Sequence, residues 1–134
     1  MSSEVTNINE RKVVLPTWLD TLIFNDLSAN YCRQNKDMVV LEWNFDDIKK
    51  YLGTYFPRSY AESFCIFSNF FSKEKYVYEN CQELSIFDFG CGTGGELIGF
   101  IIAVTKQLPN IKKITIRALD GNSYALKCLE CILE

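Results

Sequence analysis

Asp88, Gly90, Gly92 and Gly94 recur at every second position of IFDFGCGTGGE, and a further carboxylate, Asp120, follows 32 positions after Asp88 in ALDGN. Glycines spaced this way after an apolar run allow a sharp strand-to-helix turn and let a ligand approach the main chain. Amides at the start of the following helix then face the ligand's polar end. A carboxylate accepts hydrogen bonds at both oxygens, so Asp120 could serve two vicinal hydroxyls at once. Other chemistry is more restricted. The chain has no histidine, which removes Ser-His-Asp and Cys-His sites and leaves carboxylate, Lys, Tyr or Cys as the available bases. Of its six cysteines only Cys128 and Cys131 form a CxxC, while Cys32, Cys65, Cys81 and Cys91 stand apart. A structural zinc site needs four ligands, so no metal site is expected.

The elements that would position these residues can be read from periodicity. LSIFDF, 84–89, is a short apolar run ending at the glycines, as a buried parallel strand does. Residues 95–108 form a helix that is apolar nearly all round and needs cover on more than one side. ITIRAL, 114–119, is a second strand, Asp120-Gly121-Asn122 makes a turn, and 124–133 is a helix with Leu126, Leu129 and Leu133 on one face. This β-α-β-α order predicts parallel strands joined by a right-handed crossover. Residues 82–134 therefore form one unit, and residues 1–81 a mainly helical extension that supplies the missing cover.

Within that extension, residues 1–12 read as a polar arm. Pro16 opens a helix carrying Trp18, Leu19, Leu22, Ile23 and Leu27. A polar break at 35–37 leads to MVVLEW, which suits strand or helix. Asn44 is placed to cap a helix with Phe45, Ile48, Tyr51 and Leu52, and Pro57 to open another. Tyr60, Phe64, Phe67 and Phe71 follow at amphipathic spacing and read as core more readily than as a stacking surface.

Composition is that of a globular domain: 48% hydrophobic, 14% aromatic and 23% charged over 134 residues, with no signature of disorder. Net charge is −3, and neither half has a basic excess, so nucleic acid is not indicated as a partner. The N-terminus lacks a signal-peptide pattern, and no apolar run approaches the ~20 residues of a membrane span. A cytoplasmic protein with reduced thiols is expected.

Three families share parts of the glycine stretch. Asp88-Phe89-Gly90 spells the metal-binding triplet of protein kinases, but a histidine-free chain lacks their H-R-D loop. Gly90, Gly92 and Gly95 fit the dinucleotide pattern G-x-G-x-x-G, which normally has an aliphatic residue where Asp88 stands. The stretch most closely resembles the first motif of class I (Rossmann-like) S-adenosylmethionine (SAM)-dependent methyltransferases: acid, any, Gly, any, Gly, any, Gly. The resemblance implies an α/β, Rossmann-like fold. It implies that Asp88 helps hold the cofactor's methionine amino group and that Gly90, Gly92 and Gly94 pass beneath its methionine and ribose. The backbone at Cys91 and Thr93 would lie close by, and Asp120 would bind the ribose hydroxyls. The interval from Asp88 to Asp120 is longer than usual for the family and fits a lengthened first helix and loop. Many relatives use an N-terminal helical segment as a lid, a role open to Tyr55, Arg58 or Tyr60, although an arginine such as Arg58 is more often a solvated surface residue.

The resemblance covers residues 84–134, about a third of the family's seven-stranded fold, and implies an incomplete sheet. The motifs that read adenine and the methyl acceptor are not among these residues. Three expectations follow: an N-terminal part of a longer methyltransferase, a chain completed by self-association or by a second polypeptide, or a non-catalytic relative used for binding or scaffolding. SAM or S-adenosylhomocysteine is the implied ligand, and the acceptor is not specified.

Overall fold

The computed structural model describes residues 13–31 and 45–134. The polar arm, the break at 35–37, MVVLEW and the Asn44 cap lie outside the described residues. The order of elements is α1 (Thr17–Thr21, running on as a π turn Leu22–Asp26), α2 (Phe45–Lys73), a short 3-10 turn Lys75–Tyr78, β1 (Glu83–Phe89), α3 (Gly95–Gln107), β2 (Lys113–Leu119) and α4 (Ser123–Leu133). The architecture is α/β with a two-stranded parallel sheet, β1 against β2 in the register Asp88 to Ala118.

Pro57 does not open a helix. It lies inside α2, which runs unbroken for 29 residues. Proline removes one intrahelical hydrogen bond at a cost of about 3 kcal/mol. Burial offsets that cost: Leu52, Phe56, Tyr60, Phe64 and Phe71 of α2 all sit in the core. Each such side chain contributes ~1.5–3 kcal/mol when taken out of water. Tyr60, Phe64 and Phe71 of the stripe are therefore core, as the spacing indicates, and Phe67 packs half-buried against it.

Helix α3 lies between α2 and the sheet. Its Leu97, Ile98, Ile102 and Ala103 join the main cluster with Leu52, Phe56, Tyr60 and Phe64 from one side and Ile86, Ile116 and Ala118 from the other. The N-terminal helical part thus covers the all-round apolar helix. Two glycines set the close approach. A Cβ on Gly95 would stand 2.7 Å from the Phe56 carbonyl oxygen, and one on Gly99 would stand 2.6 Å from that of Tyr60. The Ser63 hydroxyl donates to the Glu96 carbonyl at 2.7 Å, tying the helices where they meet.

Two expectations change. The strands are not buried on both faces: exposure alternates along each of them, leaving Phe87 63% and Phe89 81% exposed. Among the described residues the helices cover one face only. Helix α4 also turns a different side inward, burying Ala125, Cys128, Leu129 and Ile132, while Leu133 is 44% exposed. Packing sets this face: Ala125 and Cys128 meet Ile48 and Tyr51 of α2, and Leu129 and Ile132 join the main cluster; the Asn122 side chain caps the first turn, accepting from the Ala125 amide at 3.0 Å.

Among the described residues no helix is long and apolar enough to cross a membrane, and no three Cys, Asp or Glu side chains converge as metal ligands. Cys65, Cys81, Cys91, Cys128 and Cys131 are free thiols.

Candidate functional site at the glycine loop

The loop leaves β1 at Phe89 and enters α3 at Gly95. Gly90, Gly92 and Gly94 have φ of 74°, 55° and 92°, a left-handed region that L side chains rarely adopt. Gly90 and Cys91 donate their amides to the Leu119 carbonyl at 2.7 and 3.0 Å, so the end of β2 holds the start of the loop. The Gly94 amide closes the turn onto the Cys91 carbonyl at 3.0 Å. The alternating glycines are thus a backbone requirement of the turn.

Asp120 holds the loop in a way that its position after β2 does not announce. Its Oδ2 accepts the Gly92 amide at 2.9 Å and its Oδ1 accepts the Asn122 amide at 2.8 Å. One carboxylate therefore joins the middle of the glycine loop to the turn before α4. Each oxygen keeps a second lone pair, so this clamp is compatible with accepting ligand hydroxyls.

Asp88 and Asp120 sit close enough to repel. Partial burial raises the Asp88 pKa above the usual carboxylate value, and the Asp120 charge adds to the shift. Burial, then Asp88 and Asp120, push the Cys91 thiol up to about 11. Cys91 is therefore a neutral thiol at physiological pH and no nucleophile.

Helix α2 forms the roof. Tyr51 and Tyr55, one turn apart, lie with ring centroids 5.2 Å apart and planes tilted by 31°, and a Cβ on Gly92 would meet the Tyr51 hydroxyl at 2.8 Å. Burial, then the Asp120 charge, raise the Tyr51 pKa. Tyr51, Tyr55 and Ser59 join Gly90, Cys91, Thr93 and Glu96 around a cavity of about 80 Å³. Sites for drug-sized ligands hold ~300–1,000 Å³, so this cavity suits one end of a ligand whose remainder lies outside it.

The structure brings Gly90, Cys91, Thr93, Gly94 and Tyr55 to one cavity and places Asp88, Gly92 and Asp120 beside it. The other two lid candidates fall elsewhere. Tyr60 is wholly buried, stacked 5.9 Å from Phe64, because its position on α2 faces α3. The Arg58 side chain is 73% exposed and pairs through Nε with Glu62 at 3.1 Å. It lines a larger groove, about 670 Å³, on the neighbouring face of α2. The sequence reading missed Tyr51, Ser59 and Glu96 at the loop. The four-residue spacing of Tyr51, Tyr55 and Ser59 marks one helix face, but nothing local shows that this face meets the glycines.

Comparison with protein-family models, with curated proteins and with solved structures gives no match in any of the three.

Proposed function

We propose that the glycine loop binds S-adenosylmethionine and that the chain serves methyl transfer. The observation carrying this proposal is electrostatic. Asp88 and Asp120 converge on a glycine turn whose cavity has, among the described residues, no lysine or arginine in its lining and also carries Glu96. A dinucleotide would bring a pyrophosphate to two carboxylates that already repel each other. A ligand bearing an ammonium, a sulfonium and a ribose diol suits the same acceptors.

The residues fit that ligand in kind. Asp88 would hold its amino group, Asp120 its ribose hydroxyls, and Gly90 faces open space, whereas Tyr51 and Leu129 lie against Gly92 and Gly94. When bound, the sulfonium supplies a methyl group to a nucleophile, with the S–C bonding pair remaining on sulfur. The chain's part is to orient and shield. Tyr51 and Tyr55 roof the loop, and Cys91, held neutral, does not compete for the methyl group. Catalysis by such a site would come mainly from alignment of donor and acceptor.

A non-catalytic binding or scaffold role is the second reading. It is favoured by the small size of the cavity and by the Tyr51 hydroxyl lying against Gly92. Calorimetric titration with S-adenosylhomocysteine separates the two. Methyl transfer requires binding that Asp88→Ala weakens by roughly 10- to 100-fold, the cost of a lost charge-assisted hydrogen bond. Absence of binding to the folded chain at ~10 mM ligand would favour the scaffold role.

A further inference from the structure

The sheet face turned away from the helices carries its side chains in cross-strand pairs. The parallel register sets Glu83 beside Lys113, Ser85 beside Thr115, Phe87 beside Arg117 and Phe89 beside Leu119, and all of these residues are exposed. Each pair is complementary in kind: acid with base, hydroxyl with hydroxyl, ring with guanidinium, ring with aliphatic chain. Phe87, Phe89 and Leu119 gather toward the glycine-loop end. A cavity of about 260 Å³, lined by Ser85, Ile86, Phe87, Thr115 and Arg117, opens next to them. Glu83, Lys113 and Arg117 make no ion pair among the described residues.

Parallel strands are normally covered on both faces, and the described helices cover only one. The pairing points to what fits the other. A closed dimer requires a self-complementary patch, in which position i meets j and j meets i. A two-fold axis running along the strands, midway between β1 and β2, lays β1 of one copy over β2 of the next. Glu83 then faces Lys113 of the second copy, Ser85 faces Thr115, Phe87 faces Arg117 and Phe89 faces Leu119, each in both directions. Sheets stacked ~10 Å apart with their strands nearly aligned have this geometry. An axis across the strands at their middle would instead lay Phe89 on Glu83 and Leu119 on Lys113.

We propose that the open sheet face binds a second copy of this chain, sheet on sheet, about a two-fold axis parallel to the strands. The contact is weak, because it uses eight side chains a side where stable interfaces use ~20–30 residues. The chain is therefore monomeric when dilute, with Phe87 and Phe89 free, and associates toward millimolar concentration. This association needs no cofactor and stands apart from the methyl-transfer reading.

Sedimentation equilibrium between ~10 μM and ~2 mM tests it. Wild type should approach the dimer mass with a Kd on the order of 0.1–1 mM, and Phe89→Ser should stay monomeric throughout. Glu83→Lys sets lysine against lysine, Lys113→Glu sets glutamate against glutamate, and each alone should associate about tenfold more weakly than wild type. Mixed in equal amounts, the two variants meet lysine to glutamate at both contacts and should associate within about threefold of wild type. The same mixture with Phe89→Ser added to both should stay monomeric, which separates rescue from general charge attraction. All three positions are exposed, and circular dichroism verifies the fold of each variant. The proposal is overturned by a wild type that is monomeric at ~2 mM, by charge variants that associate as wild type does, or by a mixture no tighter than its components. The first outcome would leave the face to a segment of the chain itself or to a different protein.

Discussion

At the scale of single residues, the loop stores an electrostatic conflict. Asp88 has its folded pKa raised, so the folded state holds its proton more tightly than the unfolded chain does. Its contribution to stability is therefore greatest below the usual carboxylate pKa and falls as pH rises through the shifted value. Asp88→Asn should raise the melting temperature at pH 7, and the gain should shrink as pH approaches 4. A thermal melt series across pH checks this; a variant less stable than wild type at pH 7 contradicts it. Gly92→Ala has the opposite sign. The substitution forces an L side chain to φ 55° and drives its Cβ toward the Tyr51 hydroxyl. The left-handed backbone alone should cost about 1–2 kcal/mol, measurable by urea unfolding. Combining it with Tyr51→Phe should return none of that backbone cost, although it relieves the contact.

At the scale of elements, the α2–α3 contact builds much of the main core cluster. Phe64→Ala should destabilise by about 3–5 kcal/mol, as expected for a fully buried aromatic ring. Gly99→Val should also destabilise, because its Cβ would meet rigid backbone at 2.6 Å instead of a side chain able to move. Chemical denaturation of both variants tests which helix face is load-sharing; wild-type stability in either refutes the close-packed crossing. The same elements show how far sequence patterns reach. The strands were legible as short apolar runs bounded by turn residues, α3 as a longer apolar run, and the aromatic stripe by its helical spacing. Pro57 misled because a local breaker signal was outweighed by tertiary burial along the whole of α2. The α4 face misled because Leu126, Leu129 and Leu133 repeat as well as Ala125, Leu129 and Ile132 do, and contact with α2 and the main cluster chose between them. Asp88, the glycines and Asp120 were recognisable from residue type and spacing. The Tyr51–Tyr55 roof was not, since it depends on how a helix about 40 positions upstream docks on the loop.

At the scale of the molecule, the core formed by the described residues is one-sided. Helices fill one face of the two-stranded sheet, and Phe87, Phe89 and Leu119 stand exposed on the other. Phe89→Ser should therefore change stability by less than about 0.5 kcal/mol, the range typical of surface substitutions, despite removing a phenyl ring. A loss of several kcal/mol in urea unfolding would mean that this ring is covered in solution. The Asp120 clamp has a different consequence. It closes the β1-α3-β2 crossover on itself, joining residues 28 apart in sequence, and so ties the motion of the glycine turn to the integrity of the sheet. The Gly92 amide becomes a clock for that tie. In the intact chain its proton should exchange with deuterium nearly as slowly as that of Ile98, which is bonded to the Gly94 carbonyl at 2.8 Å. In Asp120→Ala the two clocks should separate: Gly92 would run at the rate of an open surface loop while Ile98 keeps the time of the core.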